Sequence, residues 1–211
     1  IGAANYAITL KPGVLTIVPR PTVTTLQSTT ANPSTFGQGL SFTVAVSSGR
    51  GVPGGIVTVL SGGLPVATAP LVNGQATVSV SSLDAGNHAL FAQYSGSGGF
   101  AASVSQALPH TINPASTTTN VASSLNPSRA GQAVTFTSVV SPVAPGAGVP
   151  TGSIEYLLGG VVIGTVPLIS GTAQLTIDTL TPGKYVIQAR YLGTGNYRPS
   201  ASAVIQQAVK G

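Results

Sequence analysis

The stretch Leu180-Thr181-Pro182-Gly183-Lys184-Tyr185-Val186-Ile187-Gln188-Ala189-Arg190-Tyr191-Leu192-Gly193 decides the fold. Ile187, Ala189 and Tyr191 alternate with Gln188 and Arg190, the period of two that belongs to a strand with one buried face. Ahead of it Pro182 and Gly183 make a turn, and Tyr185 then stands where a β-sandwich uses a tyrosine to return its hydroxyl to the preceding backbone. The same layout lies 97 positions earlier: Leu83-Asp84-Ala85-Gly86-Asn87-His88 leads into Leu90, Ala92, Tyr94 and Gly96, with His88 at the tyrosine position.

Working outward, the chain is written twice. Gly37-Gln38 with Phe42 returns as Gly131-Gln132 with Phe136 at an offset of 94, and Asn32-Pro33-Ser34 as Asn126-Pro127-Ser128. Val52-Pro53-x-Gly55 returns as Val149-Pro150-x-Gly152 at an offset of 97, so the second copy carries three extra residues around Pro142–Gly148. Gly62-Gly63, Pro70-Leu71 and Gly74-x-Ala76 then match Gly159-Gly160, Pro167-Leu168 and Gly171-x-Ala173, and Phe100 stands where Tyr197 does.

Each copy alternates throughout. Leu40, Phe42, Val44 and Val46 answer to Val134, Phe136, Ser138 and Val140, and Ala76, Val78 and Val80 to Ala173, Leu175 and Ile177. Gly, Pro, Asn and Ser separate the runs, and no segment has a helical period with caps. The class is all-β, about seven strands in about 95 residues of each copy, arranged as a two-sheet Greek-key sandwich. The corner makes the sandwich immunoglobulin-like. Ile187 and Leu90 stand where an antibody domain has its second cysteine, so apolar contact replaces the disulfide. The domains expected are 20–114 and 115–211, behind an N-terminal β-hairpin over 1–19.

The ordered set Val-Pro-x-Gly, Gly-Gly, Gly-x-Ala, Leu-x-x-Gly-x-Tyr/His and Tyr-x-Gly, seen twice over residues 20–211, resembles the tandem bacterial Ig-like repeats of large secreted and surface proteins. That resemblance implies an extracellular module, secreted or attached to the cell surface, with no catalytic residues to carry over. Residues 1–18 belong to neither copy. Tyr6–Leu10 and Val14–Val18 alternate around Lys11-Pro12-Gly13, and Asn5-Tyr6-x-Ile8 with Gly13-x-Leu15-Thr16-Ile17 is similar to the closing strands of another glycine-rich bacterial surface repeat. On that reading the segment is a window of a longer array. A two-stranded hairpin is marginal alone, so Tyr6, Ile8, Leu10, Leu15 and Ile17 are expected to complete a sheet in a neighbouring repeat or subunit, giving head-to-tail assembly by strand addition.

Composition narrows the functions. Among 211 residues there are 27 Gly, 16 Pro, no Cys, and only 5% charged residues. Without cysteine there is no disulfide framework or thiolate metal site, and stability rests on packing and sheet hydrogen bonds. The charge is +5, but the eight basic residues are scattered, with no two within five positions, which is not a nucleic-acid footprint. No run approaches the ~18 apolar residues of a membrane span, and the N-terminus shows no basic region leading into an apolar one.

Catalysis needs convergent titratable groups, and the chain offers Asp84, Glu155, Asp178, His88 and His110. Asp84 reads as a turn residue, His88 as the corner donor, and His110 as a rim residue beside the linker. A cluster of Asp84, His88 and a serine would revive an enzyme. Gly49-Arg50-Gly51-Val52-Pro53-Gly54 matches G-x-G-x-x-G, the dinucleotide-binding fingerprint, yet Pro53 and the run Ile56–Val59 lead into a strand, where the fingerprint needs a helix. Three scattered acids cannot make a calcium site, so no metal or cofactor is expected. Asn32-Pro33-Ser34 and Asn126-Pro127-Ser128 are glycosylation patterns blocked by proline.

The expected function is therefore structural: a spacer rod, adhesion module or assembly unit whose partners are neighbouring repeats. The Pro-bracketed linkers Pro19–Pro21 and Asn113–Ala115 favour an elongated arrangement. The alternative is a carbohydrate-binding accessory module of a secreted hydrolase. For that, or for another surface ligand, Phe100 and Tyr197 are the candidate contacts, and their exposure decides the matter.

Overall fold

The computed structural model describes residues 18–211, all of which lie in strands, turns and loops. The first sandwich comprises β1 (Thr22–Ser28), β2 (Ser34–Thr35), β3 (Leu40–Ser48), β4 (Ile56–Ser61), β5 (Leu64–Pro70), β6 (Gln75–Val80), β7 (Gly86–Tyr94), β8 (Ser103–Val104) and β9 (Leu108–Asn113). The second repeats them as β10 (Thr117–Ser123), β11 (Ser128–Arg129), β12 (Val134–Pro142), β13 (Ser153–Leu158), β14 (Val161–Pro167), β15 (Thr172–Ile177), β16 (Gly183–Tyr191), β17 (Ser200–Ala201) and β18 (Ile205–Lys210). Among the described residues no helix is long and apolar enough to cross a membrane.

In each copy a three-stranded sheet, β1-β3-β6 or β10-β12-β15, faces a six-stranded one, β2-β9-β7-β4-β5 with β8 on β7, or its counterpart. The chain crosses between sheets early: β1 pairs with β3 antiparallel, whereas β2 pairs with the last strand β9 in parallel. Alternation dictates the interior. Phe42, Val44, Val57, Val59, Leu90, Ala92 and Tyr94 are fully buried in the first copy, as are Phe136, Ile154, Tyr156, Ile187, Ala189 and Tyr191 in the second. At about 25 cal/mol per Å², this burial is the main favourable term in a chain without disulfides.

The polar devices are duplicated too. Tyr94 donates its hydroxyl hydrogen to Gly54 O at 2.8 Å and Tyr191 to Thr151 O at 2.6 Å, tying the Val-Pro-x-Gly loop to the core in both copies. Hydroxyls also join the two sheets of each copy, β1 to β8 and β10 to β17. Thr22 and Thr24 share Ser103 Oγ at 2.6 and 2.7 Å, and Thr117 and Thr119 share Ser200 Oγ at 2.7 Å each. The corner is made in both: Tyr185 donates to Thr181 O at 3.0 Å, and His88 Nε2 lies 2.8 Å from Asp84 O. Phe42 and Phe136 answer each other across the copies, but Val44 and Val59 are replaced by Ser138 and Tyr156, a small and a large side chain in place of two medium ones. The Tyr156 hydroxyl donates to Ala173 O at 2.7 Å.

Candidate functional site

The two sandwiches meet end to end, and the residues where the copies differ are the ones that make the joint. β9 ends at Asn113, whose carbonyl accepts from Phe36 N at 2.8 Å in the first sandwich. Two residues later Ala115 is already part of the second: it donates to Asn196 O at 2.9 Å, accepts from Arg198 N at 2.8 Å, and is fully buried. Pro114 alone separates the anchors, and proline holds φ near −65°. Asn113–Ala115 is thus no free spacer.

Above this hinge the turn after β2 presses on the second sandwich. The Phe36 ring stands edge-to-face on Tyr197, with centroids 5.2 Å apart and planes at 82°, and packs against both cores. The backbone there lies too close for any side chain. A Cβ on Gly37 would collide with the backbone oxygen and nitrogen of Ala147, and Gly37 also has φ +82°. Ala147 belongs to the extra length of the second copy: between Ser48 and Gly51 the first has two residues, and between Pro142 and Gly148 the second has five. That loop folds on itself, with Val143 N donating to Ser116 O at 2.8 Å and Gly146 N to Val143 O at 2.9 Å.

A polar clasp completes the joint. Asn196 accepts from Ala85 N at 2.8 Å through Oδ1 and donates to Asp84 Oδ1 at 2.9 Å through Nδ2, so one amide uses both its functions on the other domain. Phe36 corresponds to Ala130 in the repeat, Asp84 to Thr181, and Asn196 to Gly99. The sequence alone did not assign Phe36, Gly37, Ala147 or Asn196. Phe36, Ala147 and Asn196 had a signal as departures from the internal repeat, whereas Gly37 is shared with Gly131 and had none.

The other sequence expectations are placed as follows. Tyr197 is only 4% exposed and donates to Ala147 O at 3.1 Å, so it is not an exposed anchor: the end of the preceding sandwich covers it. Burial pushes its hydroxyl pKa up, with Tyr191 adding to the effect. Phe100 is half-buried and packs against the first core. Tyr6, Ile8, Leu10, Leu15 and Ile17 lie outside the described residues, as does most of the 1–19 hairpin.

His110 is corrected. It is not a rim residue but is 1% exposed, because it shares the inward parity of Ile112 on β9. Its Nε2 lies 2.9 Å from Ser34 Oγ, its Nδ1 has no partner among the described residues, and burial, then the nearby His88, holds its pKa below the ordinary value.

Asp84, His88 and a serine do come together, since Ser61 Oγ lies 3.1 Å from His88 Nδ1. The group on His88 Nε2 is the Asp84 backbone carbonyl, however, and the carboxylate is turned to Asn196. Tyr185 makes the same carbonyl contact in the other copy, so the bond belongs to the fold's corner. Glu155 is engaged by Arg190, directly across the strands. Among the described residues no group of three acids, histidines or cysteines could hold a metal ion. Gly49–Gly54 runs through bends and loop into β4, with no helix behind it.

The profile of the bacterial Ig-like domain (group 3) matches residues 26–113 and again 119–210. The chain belongs to this family. Comparison with curated proteins gives no match. Among solved structures, the fibronectin(III)-like modules of Clostridium thermocellum CbhA are 14% identical, with 87% of this chain and 92% of that one covered at a TM-score of 0.35. A 1.5-MDa bacterial ice-binding adhesin is 14% identical over 92% of this chain and 66% of that one, TM-score 0.34. A membrane-anchored protein of Corynebacterium diphtheriae is 14% identical over 90% and 57%, TM-score 0.36. In this pair of bacterial Ig-like domains the second domain closes the lower end of the first.

Proposed function

We propose that the chain is a non-catalytic segment of a bacterial surface or secreted protein, a spacer that holds the domains on either side apart in a set direction. The joint carries this reading. A one-residue linker, a buried tyrosine capped by a half-buried phenylalanine and an amide clasped to the opposite domain fix one sandwich on the next, where a flexible tether would leave both ends solvated. Membership of the bacterial Ig-like family supports an extracellular location, as do the hydroxyl-rich faces. The carbohydrate-binding alternative needs Tyr197 on an open face, and its ring is covered by Phe36.

Small-angle scattering with sedimentation on residues 1–211 tests the reading. A compact globule of this length has a radius of gyration of about 17 Å; a spacer gives a clearly larger value that stays constant with concentration and salt. A value near that of the globule, or one that drifts as for a flexible pair, would count against it.

A further inference from the structure

The end of the second sandwich that receives Phe36 has a counterpart at the far end of the first. Arg20 repeats the bridging of Ala115: its N–H donates to Gly99 O at 2.8 Å and its carbonyl accepts from Ala101 N at 2.8 Å, pairing it with Phe100 as Ala115 pairs with Tyr197. Arg50 stands at the position of Ala147, the residue against which Gly37 seats. A Cβ on Gly51 would meet Phe100 Cζ at 3.2 Å and Arg20 Nη1 at 3.3 Å, as one on Gly148 would meet the Tyr197 hydroxyl. Beside these residues lies a cavity of about 470 Å³ lined by Arg20, Pro21, Ser48, Gly49 and Arg50.

Where the second sandwich offers Asn196 to a carboxylate, this end offers two guanidinium groups. Both are exposed, and the one ion pair among the described residues, Arg190 with Glu155, lies elsewhere. We propose that this pole of the first sandwich, a continuation of the repeat's own joint, is a docking surface for the end turn of another β-sandwich that presents a carboxylate, as Asp84 is presented at the joint within the chain. Electrostatic complementarity then selects the neighbour.

A second copy of this chain does not fit. The lower pole of its second sandwich has Ala130 where the lower pole of the first has Phe36 and Thr181 where that pole has Asp84, and it carries Arg129, Lys184 and Lys210 against one acid, Asp178. Three basic residues against one acid would meet Arg20 and Arg50, so like charges would outnumber opposite ones, and no ring would enter. The neighbour is therefore a different domain, which orders an array: this pair accepts an acidic end above and offers a basic one below.

The inference rests on the array reading, but its test addresses the pole alone. In the full chain, T181D places a carboxylate on the lower pole at an exposed turn, and A130F/T181D adds the ring. Sedimentation velocity over a concentration series is expected to show the unaltered chain failing to associate by its poles. The double variant should form head-to-tail oligomers that dissociate as salt rises and disappear when R20A/R50A is added. T181D alone should associate in the same arginine-dependent way, more weakly, which covers the case in which A130F disturbs folding. Folded T181D and double variants that sediment like the unaltered chain would overturn the proposal. So would association that survives R20A/R50A, or arginine-dependent association of the unaltered chain. Failure here with a scattering radius that still exceeds the globule's leaves the spacer reading standing.

Discussion

At the scale of single residues, the two copies test each other's cores. Ser138 is fully buried, and its hydroxyl has no partner among the described residues. It stands where the first copy has Val44, its smaller volume matched by the larger Tyr156 in place of Val59. Removing an unsatisfied buried hydroxyl avoids its desolvation cost, so Ser138→Ala is expected to raise the stability of the second domain by about 1 kcal/mol in urea unfolding. His110 makes the opposite experiment possible, because Gln207 holds its position in the second copy and meets Ser123, Leu125 and Ser128 with its amide. The His110 pKa is held below its ordinary 6.5, with His88 directly across the strands. The folded chain then binds fewer protons than the unfolded one near that value, and stability rises with pH there. The contribution of neutral His110 to the first domain's stability is expected to be fully present above pH 6.5 and to be lost progressively as pH falls below, as read from melting temperatures; His110→Gln should flatten that slope. The inward parity of His110 was visible in the sequence, since Leu108, His110 and Ile112 alternate, but proximity to the linker misdirected its reading.

At the scale of elements, the strands and the corner were legible because they depend on local pattern: period-two alternation, Gly and Pro punctuation, and a tyrosine or histidine at a fixed spacing from the turn. The joint was not, because it depends on which turns meet, a tertiary fact. Gly37 and Gly131 separate the two kinds of information. Both have positive φ, +82° and +74°, but only Gly37 is pressed against another backbone, and around Gly131 there is open space. Alanine at Gly131 should cost about 1 kcal/mol for the left-handed conformation alone. Alanine at Gly37 carries that cost and also meets Ala147, so it is expected to part the domains, visible as a larger loss in unfolding and a broader scattering envelope. Equal effects of the two substitutions would mean that Gly37 serves its own turn only.

At the scale of the whole molecule, a chain with few charges and no cysteine gains direction by burying one aromatic and satisfying one amide between repeats that are otherwise independent. Repetition explains why this was hard to read: a repeat advertises what its copies share, whereas the joint uses what they do not, namely Phe36, Asp84, Asn196 and the extra residues before Gly148. The absence of cysteine also supplies the means of testing it. Thr77 and Gln174 are equivalent exposed positions on β6 and β15, so T77C/Q174C accepts two spin labels, one on each domain, at surfaces away from either core. The decisive measurement is the label-to-label distance distribution by pulsed electron resonance. A single narrow distribution that becomes broad when F36A and N196A are added is the result predicted for domains held by the joint. A broad distribution in the presence of Phe36 and Asn196, or a narrow one that survives their removal, would contradict it.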